Sequence, residues 1–331
     1  MAAPERSSPL SATTSEVKLD PDIRRFVTEL QEAWSRHGDL SAVSPKVLRR
    51  IAEEVRAPWS NGGPEMASID ERTVPAAVPV RVRFYVPEMA PGLMPAMIYL
   101  HGGGWTMFSI DTHDRIMREY ASRAGVIVAG VDYALAPEAK YPVALEQTVA
   151  VVRFIAKHGA ELGIDPARIA IGGDSAGGNL AMATCLRLRD EGHGALIRAA
   201  VLNYGVFARD SSPDAIRRFG GEGNVLTADE MEGLWRKYLS DESEANDPLV
   251  CPLGADLHDL PPVLLVVPEA DLLAEQSIAL GVRLRAAGVP AQTNVYRGAA
   301  HSFLEAVSIA PLAQRAFEET AGWLRATLSS R

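Results

Sequence analysis

The chain has 331 residues, 47% of them hydrophobic and 23% charged, so it carries enough apolar side chain for a large core and lacks the composition of a disordered chain. Its formal net charge of -9 speaks against nucleic acid as a partner, because phosphate binding needs clustered Lys and Arg. Length alone allows about two domains, although α/β folds of this size are often single.

Residues 1 to about 18 are rich in Ser, Thr and Pro and read as a loose tail. They lack the apolar stretch of a secretion signal, and no later run approaches the length of a membrane span. Cys185 and Cys251 form neither a C-x-x-C nor a metal-binding spacing. A cytoplasmic protein without stable membrane association is therefore expected, with a single disulfide left open. Cys185 falls in a predicted helix, where packing is its expected role.

Two helical patterns come next. Pro21 to Arg36 has Asp20 in position to cap and Pro21 in the first turn. Ser44 to Val55 follows, before the turn formers of "APWSNGGPE". From about residue 70 strands alternate with helices. "VRVRFYV" (Val80 to Val86) alternates with period two, as does "QTNVY" (Gln292 to Tyr296). Between them lie the short apolar runs Ala96 to Leu100, Gly125 to Tyr133, Arg168 to Ile171, Ala199 to Tyr204 and Pro262 to Val267. Runs of that kind suit parallel strands buried on both faces. Helical stretches occupy Val143 to His158, Gly178 to Arg189 and Ser277 to Ala287, and the last helix carries Phe317, Ala321, Leu324 and Leu328 on one face. The alternation predicts an α/β fold with a mostly parallel sheet wrapped by helices on both sides. Residues 206–250 break the rhythm, with one helical patch at Thr227 to Leu239 and no clear strand. That interval reads as an insertion over the C-terminal edge of the sheet, where ligands of open α/β sheets bind.

Gly173-Asp174-Ser175-Ala176-Gly177 matches G-x-S-x-G between a predicted strand and a predicted helix, the context this motif requires. A nucleophile must stand clear of the sheet on a tight, strained turn, and Gly173 and Gly177 remove side chains that would crowd it. The helix start behind Ser175 also aims free N–H groups at developing negative charge. A plain tight turn or a phosphate-cradling loop is the alternative, but neither G-x-x-x-x-G-K-[ST] nor G-x-G-x-x-G is present here. A second signal is His101-Gly102-Gly103-Gly104-Trp105, directly after a predicted strand. Consecutive glycines weaken any regular element and make sense where backbone must approach a ligand. Bare amides from this loop and from Ala176 are placed to bind an oxyanion.

A serine nucleophile needs a base, and seven histidines are available. His37, His158 and His193 sit beside glycine in polar segments, His258 in a polar loop, and His113 in "DTHDR". His101 is better suited to orienting its own glycine loop. His301 follows the last predicted strand in "GAAHSF", level with Ser175 at the C-terminal edge. Asp271, just past "PVLLVV", occupies the corresponding edge of the preceding strand, with Glu269 as a competitor two residues away. The order Ser175, Asp271, His301 is the one expected on this fold.

Together these residues resemble the hormone-sensitive-lipase-like (bacterial family IV) carboxylesterases of the α/β-hydrolase superfamily. The resemblance runs from about Arg81 to the C-terminus and rests on four ordered blocks: the glycine loop, "DTHD" (Asp111 to Asp114), "DYALAPEAKYPVAL" (Asp132 to Leu145) and "GGDSAGGNLA" (Gly172 to Ala181). It implies an α/β-hydrolase fold with Ser175 as nucleophile, His301 as base and Asp271 as the carboxylate behind it. It further implies an oxyanion hole from the amides of Gly103, Gly104 and Ala176, and short-chain ester hydrolysis without a cofactor or metal. The chain departs from the family pattern at Ala134, at Leu272-Leu273 after Asp271, at Ser302 and at Gly205.

The domain reading is a tail with cap helices over 1–70 and a catalytic domain over 71–331, with 206–250 as a cap insertion. Trp105, Phe108 and Tyr204 are candidates for the substrate pocket. The partner expected is a small-molecule ester, with no nucleic acid and a homodimer left open. Other acyl chemistry on the same machinery (a deacetylase, amidase, lactonase or acyltransferase) and a non-catalytic small-molecule-binding member of the fold are the alternatives.

Overall fold

The computed structural model describes residues 17–40, 42–89 and 91–329; the tail read at the N-terminus lies outside these apart from its last residues. Eight strands form one sheet in the order β1-β2-β4-β3-β5-β6-β7-β8. They are β1 (Ser68–Val74), β2 (Val80–Val86), β3 (Met94–Leu100), β4 (Ile127–Asp132), β5 (Ile164–Asp174), β6 (Ala199–Asn203), β7 (Val263–Ala270) and β8 (Ala291–Ala300). β1, β2 and β4 pair antiparallel at one edge, and every pairing from β4 through β8 is parallel.

The inner parallel strands are largely apolar because both faces are covered, whereas the edge strand β8 is more polar and at least partly exposed over its first half. On β3, Ala96, Ile98 and Leu100 enter one hydrophobic core while Met97 and Tyr99 enter the other, the period-two alternation of a strand buried twice. Helices α4 (Val143–His158), α5 (Ala176–Asp190) and α8 (Ala274–Ala286) pack on the first face. Helices α1 (Pro21–Ser35), α2 (Pro45–Ser60), α3 (Asp114–Ala124) and α9 (Pro311–Ser329) pack on the second. Phe317, Ala321, Leu324 and Leu328 are all buried there.

Several elements differ from the sequence reading. β1 is missed because "SIDERTV" is an exposed edge strand, held by its register with β2 rather than by apolar pattern. α2 runs on to Ser60 through Pro58, ending with Trp59 buried and edge-on to Phe26 of α1, ring centroids 4.8 Å apart. β5 begins at Ile164, four residues early. Asp20 caps α1, its carboxylate accepting from the amides of Asp22 and Ile23.

The 206–250 interval holds α6 (Pro213–Phe219), unforeseen, and α7 (Ala228–Tyr238). α7 starts in a capping box, with Thr227 and Glu230 satisfying each other's backbone amides. Its apolar face buries Met231, Leu234, Trp235 and Tyr238. Both cysteines are free. Among the described residues no helix is long and apolar enough to cross a membrane.

Candidate active site

Strand register brings the site together. Leu100 of β3 pairs with Gly173 of β5, so the glycine loop and the turn carrying Ser175 leave the sheet side by side. Ala270 of β7 pairs with Ala300 of β8, so Asp271 and His301 are the next residues of two adjacent strands. These segments all emerge at the C-terminal edge of the parallel sheet.

Ser175 has φ 51° and ψ -118°, a strained backbone for a residue with a side chain. The turn closes tightly enough that a Cβ on Gly177 would overlap the Leu100 carbonyl. That overlap explains the glycine better than flexibility does. His301 Nε2 lies 3.1 Å from Ser175 Oγ, and its Nδ1 lies 2.8 Å from Asp271 Oδ2. The three side chains are nearly buried. Asp271 Oδ1 also accepts the Leu273 amide. Glu269 is turned elsewhere, accepting the amide of Gly298 at 2.9 Å.

The glycine loop folds back on itself, with the Gly103 carbonyl accepting from the amides of Thr106 and Met107. Gly103 has φ 99°, and a Cβ there would overlap the Met107 carbonyl. Among the described residues the amides of Gly103 and Gly104 donate to nothing. With the amide of Ala176 at the start of α5, they form a set of backbone donors beside Ser175, suited to an oxyanion.

A buried polar network underlies the loop. Asp174 accepts from the Tyr99 hydroxyl at 2.9 Å and from the Gly102 amide at 3.1 Å, and its Oδ2 lies 3.2 Å from His113 Nε2. Burial pushes the Asp174 carboxyl up, but the His113 charge and the hydrogen bonds of His113 and Tyr99 win, so its pKa is lowered. Burial pushes His113 down, and the Asp174 carboxylate more than offsets it, raising the pKa. His101 is pushed down to about 4 by burial and then by His113. Neutral His101 stacks on Tyr133, ring centroids 4.3 Å apart, and its Nδ1–H donates to the Gly102 carbonyl. The Tyr133 hydroxyl donates to the His101 carbonyl at 2.7 Å.

A cavity of about 660 Å³ opens on Ser175 and His301, walled by α1, α2, the glycine loop and the 222–234 segment. Of the three candidate aromatics, Phe108 lines it. Trp105 and Tyr204 are fully buried behind the wall. Trp105 stacks flat on Tyr238 of α7 at 4.2 Å, and Tyr204 packs its ring edge-on to His301 at 5.1 Å. Sequence reading named His113 within "DTHD" without giving it a role, and it missed Arg49 and Arg56 of α2, whose partners lie far along the chain. Among the described residues no cluster suited to a metal ion occurs.

A serine, imidazole and carboxylate in relay, set against bare amides at the edge of a doubly covered parallel sheet, define a serine hydrolase of the α/β-hydrolase class. The model of an α/β-hydrolase-fold family matches residues 97–305. An acetyl esterase of Salmonella agona is 34% identical over 304 residues, 90% of each chain. A hyperthermophilic esterase from the archaeon Pyrobaculum calidifontis superposes with a TM-score of 0.87 at 31% identity, over 93% of this chain and 98% of its own. A thermostable carboxylesterase cloned from a metagenomic library does so with a TM-score of 0.83 at 34% identity, over 87% and 99%. The chain belongs to the hormone-sensitive-lipase-like family of α/β hydrolases and is a carboxylesterase.

Proposed function

We propose that Ser175, His301 and Asp271 carry out the hydrolysis through an acyl-enzyme, with the amides of Gly103, Gly104 and Ala176 as the oxyanion hole. The observation that carries this reading is the relay of 3.1 Å and 2.8 Å from Ser175 through His301 to Asp271. Ionised Asp271 accepts from His301 Nδ1–H, which leaves Nε2 with a lone pair for the Ser175 hydroxyl proton. Ser175 Oγ attacks the ester carbonyl while His301 takes that proton. The tetrahedral oxyanion rests on the three amides, and the alcohol leaves with the proton from His301. Water, deprotonated by His301, then releases the carboxylic acid and restores Ser175.

The substrate we infer is a short-acyl ester, acetyl included, since a relative at 34% identity is an acetyl esterase. On this reading α1, α2 and the 206–250 insertion act as the cap over the catalytic domain, because their side chains complete the cavity walls. Two free cysteines support a reducing, cytoplasmic setting. Covalent labelling with a fluorophosphonate, followed by peptide mapping, tests the assignment. Modification at Ser175 is expected, together with loss of p-nitrophenyl acetate hydrolysis by at least about 1000-fold in Ser175→Ala. Labelling at another residue, or an active Ser175→Ala protein, would overturn it.

A further inference from the structure

The cavity in front of Ser175 is bordered by two deeply buried charges that the hydrolytic steps do not use: Asp174, whose partners are Tyr99, Gly102 and His113, and Arg56. Arg56 of α2 lines the same cavity as Ser175 and His301 and is only 5% exposed. A buried guanidinium must be paired, and Nη1 donates to Glu305 Oε2 at 2.5 Å. The pairing is incomplete. Among the described residues that is the only hydrogen bond the Arg56 side chain makes: its Nε–H is buried without a partner, and Nη2 donates to nothing and is not fully buried. The guanidinium carbon lies 4.7 Å from the Phe108 ring centroid, and Phe108 also faces the cavity. The guanidinium plane is thus held by the ring on one side and by Glu305 at one end. An ion pair serving only to join α2 to the 303–308 turn would have no reason to border the reaction cavity with donors unspent.

We propose that Arg56 is a specificity-determining residue whose unused N–H groups form a subsite for an uncharged oxygen acceptor on the ester, a keto, ether or hydroxyl oxygen away from the reacting carbonyl. The inference rests on the Ser175 reading of the site. Charge bookkeeping selects the acceptor. Glu305 already neutralises Arg56, so a substrate carboxylate would lose its hydration and meet no net positive charge. A neutral oxygen loses far less on entry and can accept from Nη2, which donates to nothing and, unlike Nε, is not sealed off from the cavity.

The test uses isosteric esters. Ethyl levulinate, ethyl 4-methylpentanoate and mono-ethyl succinate share their length and differ by a ketone, a methyl branch and a carboxylate. 2-Methoxyethyl butyrate and butyl butyrate probe the alcohol side in the same way. Each kcat/KM is divided by the rate constant for hydroxide hydrolysis of the same ester, which removes intrinsic reactivity. One oxygenated ester is expected to exceed its alkyl isostere by roughly tenfold or more in the native enzyme, the usual effect of a hydrogen bond from a charged donor. Arg56→Met alone would strand Glu305, so it is combined with Glu305→Met, and the advantage is expected to fall to about one. Equal normalised rates for the isosteres would overturn the proposal, as would mono-ethyl succinate outpacing ethyl levulinate or an advantage that survives the double substitution. The native-enzyme comparison decides the matter even where the variant does not fold. If p-nitrophenyl acetate and every ester in the panel are inert, the Ser175 reading falls instead, so the two failures are distinguishable.

Discussion

Removing Arg49 should damage catalysis through a loop that Arg49 touches only at its carbonyls. The Arg49 guanidinium, on α2, donates through Nε to the Thr106 carbonyl at 2.9 Å and through Nη2 to the Ala136 carbonyl at 2.8 Å. It also forks onto Glu138. Thr106 closes the turn that carries the Gly103 and Gly104 amides, the oxyanion donors proposed above, and the Ala136 amide holds the Trp105 carbonyl at 2.8 Å. One side chain therefore staples both sides of the oxyanion loop to α2. Each charge-assisted bond to a carbonyl contributes about 1.5–3 kcal/mol. The Glu138 carboxylate is 57% exposed, so its pairing is worth about 1 kcal/mol at most. Losing one oxyanion donor costs roughly 100- to 1000-fold. A loop that merely loosens should lose part of that, so Arg49→Met is expected to lower kcat by about 10- to 100-fold with KM little changed. Arg49→Lys, able to reach one carbonyl, should fall between, and Glu138→Ala should stay near the native rate. Steady-state kinetics on p-nitrophenyl acetate, with the rate of fluorophosphonate inactivation alongside, reads out the effect, since phosphonylation also places an oxygen in the hole. A kcat for Arg49→Met within about twofold of native, or a Glu138→Ala defect as large as that of Arg49→Met, would refute the reasoning.

Two further perturbations test neighbouring parts of the same structure. A Cβ on Gly104 would run into the Leu234 side chain of α7, so Gly104→Ala should cut kcat by at least about tenfold, and adding Leu234→Ala should restore part of it. An additive double variant would show that α7 does not press on the loop. Acid stability tests His101, whose pKa is about 4 when folded against 6.5 for an unperturbed group. A depressed value means that the unfolded chain binds the proton more tightly. The contribution is therefore fully present above about pH 6.5 and is lost as pH falls toward about 4, by roughly 3 kcal/mol. His113, raised by Asp174, has the opposite sign. It stabilises below the unfolded value and loses that contribution as pH rises through its folded pKa. Urea unfolding across this range, on native protein and His101→Asn, should show the acid loss shrinking in the variant, and an unchanged slope would contradict the assignment.

How much was legible in the sequence follows the range of each interaction. The parallel strands and the turn at Ser175 were readable because their causes are local: a both-faces-buried run such as Ala96 to Leu100, or glycines flanking a strained serine. Asp271 and His301 were readable because each directly follows a strand, and strand ends define one edge of the sheet. β1 was not readable, since its polar side chains face solvent and its pairing partner supplies the order. Pro58 misled because a proline in the last turn of a helix sits where tertiary packing of Trp59 outweighs local preference. The residues that support the site were the least visible. His113 needs Asp174, 61 positions away, Arg49 needs Thr106, 57 away, and Arg56 needs Glu305, 249 away. None of these partners is announced by spacing or composition.

That difference has a functional side. The reacting groups stand on strand ends of a rigid sheet, where backbone register sets their geometry. The proposed oxyanion loop also leaves a strand end, at Leu100 of β3, but beyond it is held by long-range contacts with α2, α7 and the buried Asp174–His113 pair. Leu234 lies over Gly104, and Tyr238 stacks on Trp105. The helices that wall the cavity are therefore the same helices that hold the oxyanion donors in place. A substrate that shifts those helices will change the strength of the oxyanion hole as well as the shape of the pocket. Substitutions on α2 or α7 should accordingly move kcat and substrate preference together, whereas those on the sheet side of His301 should move kcat alone.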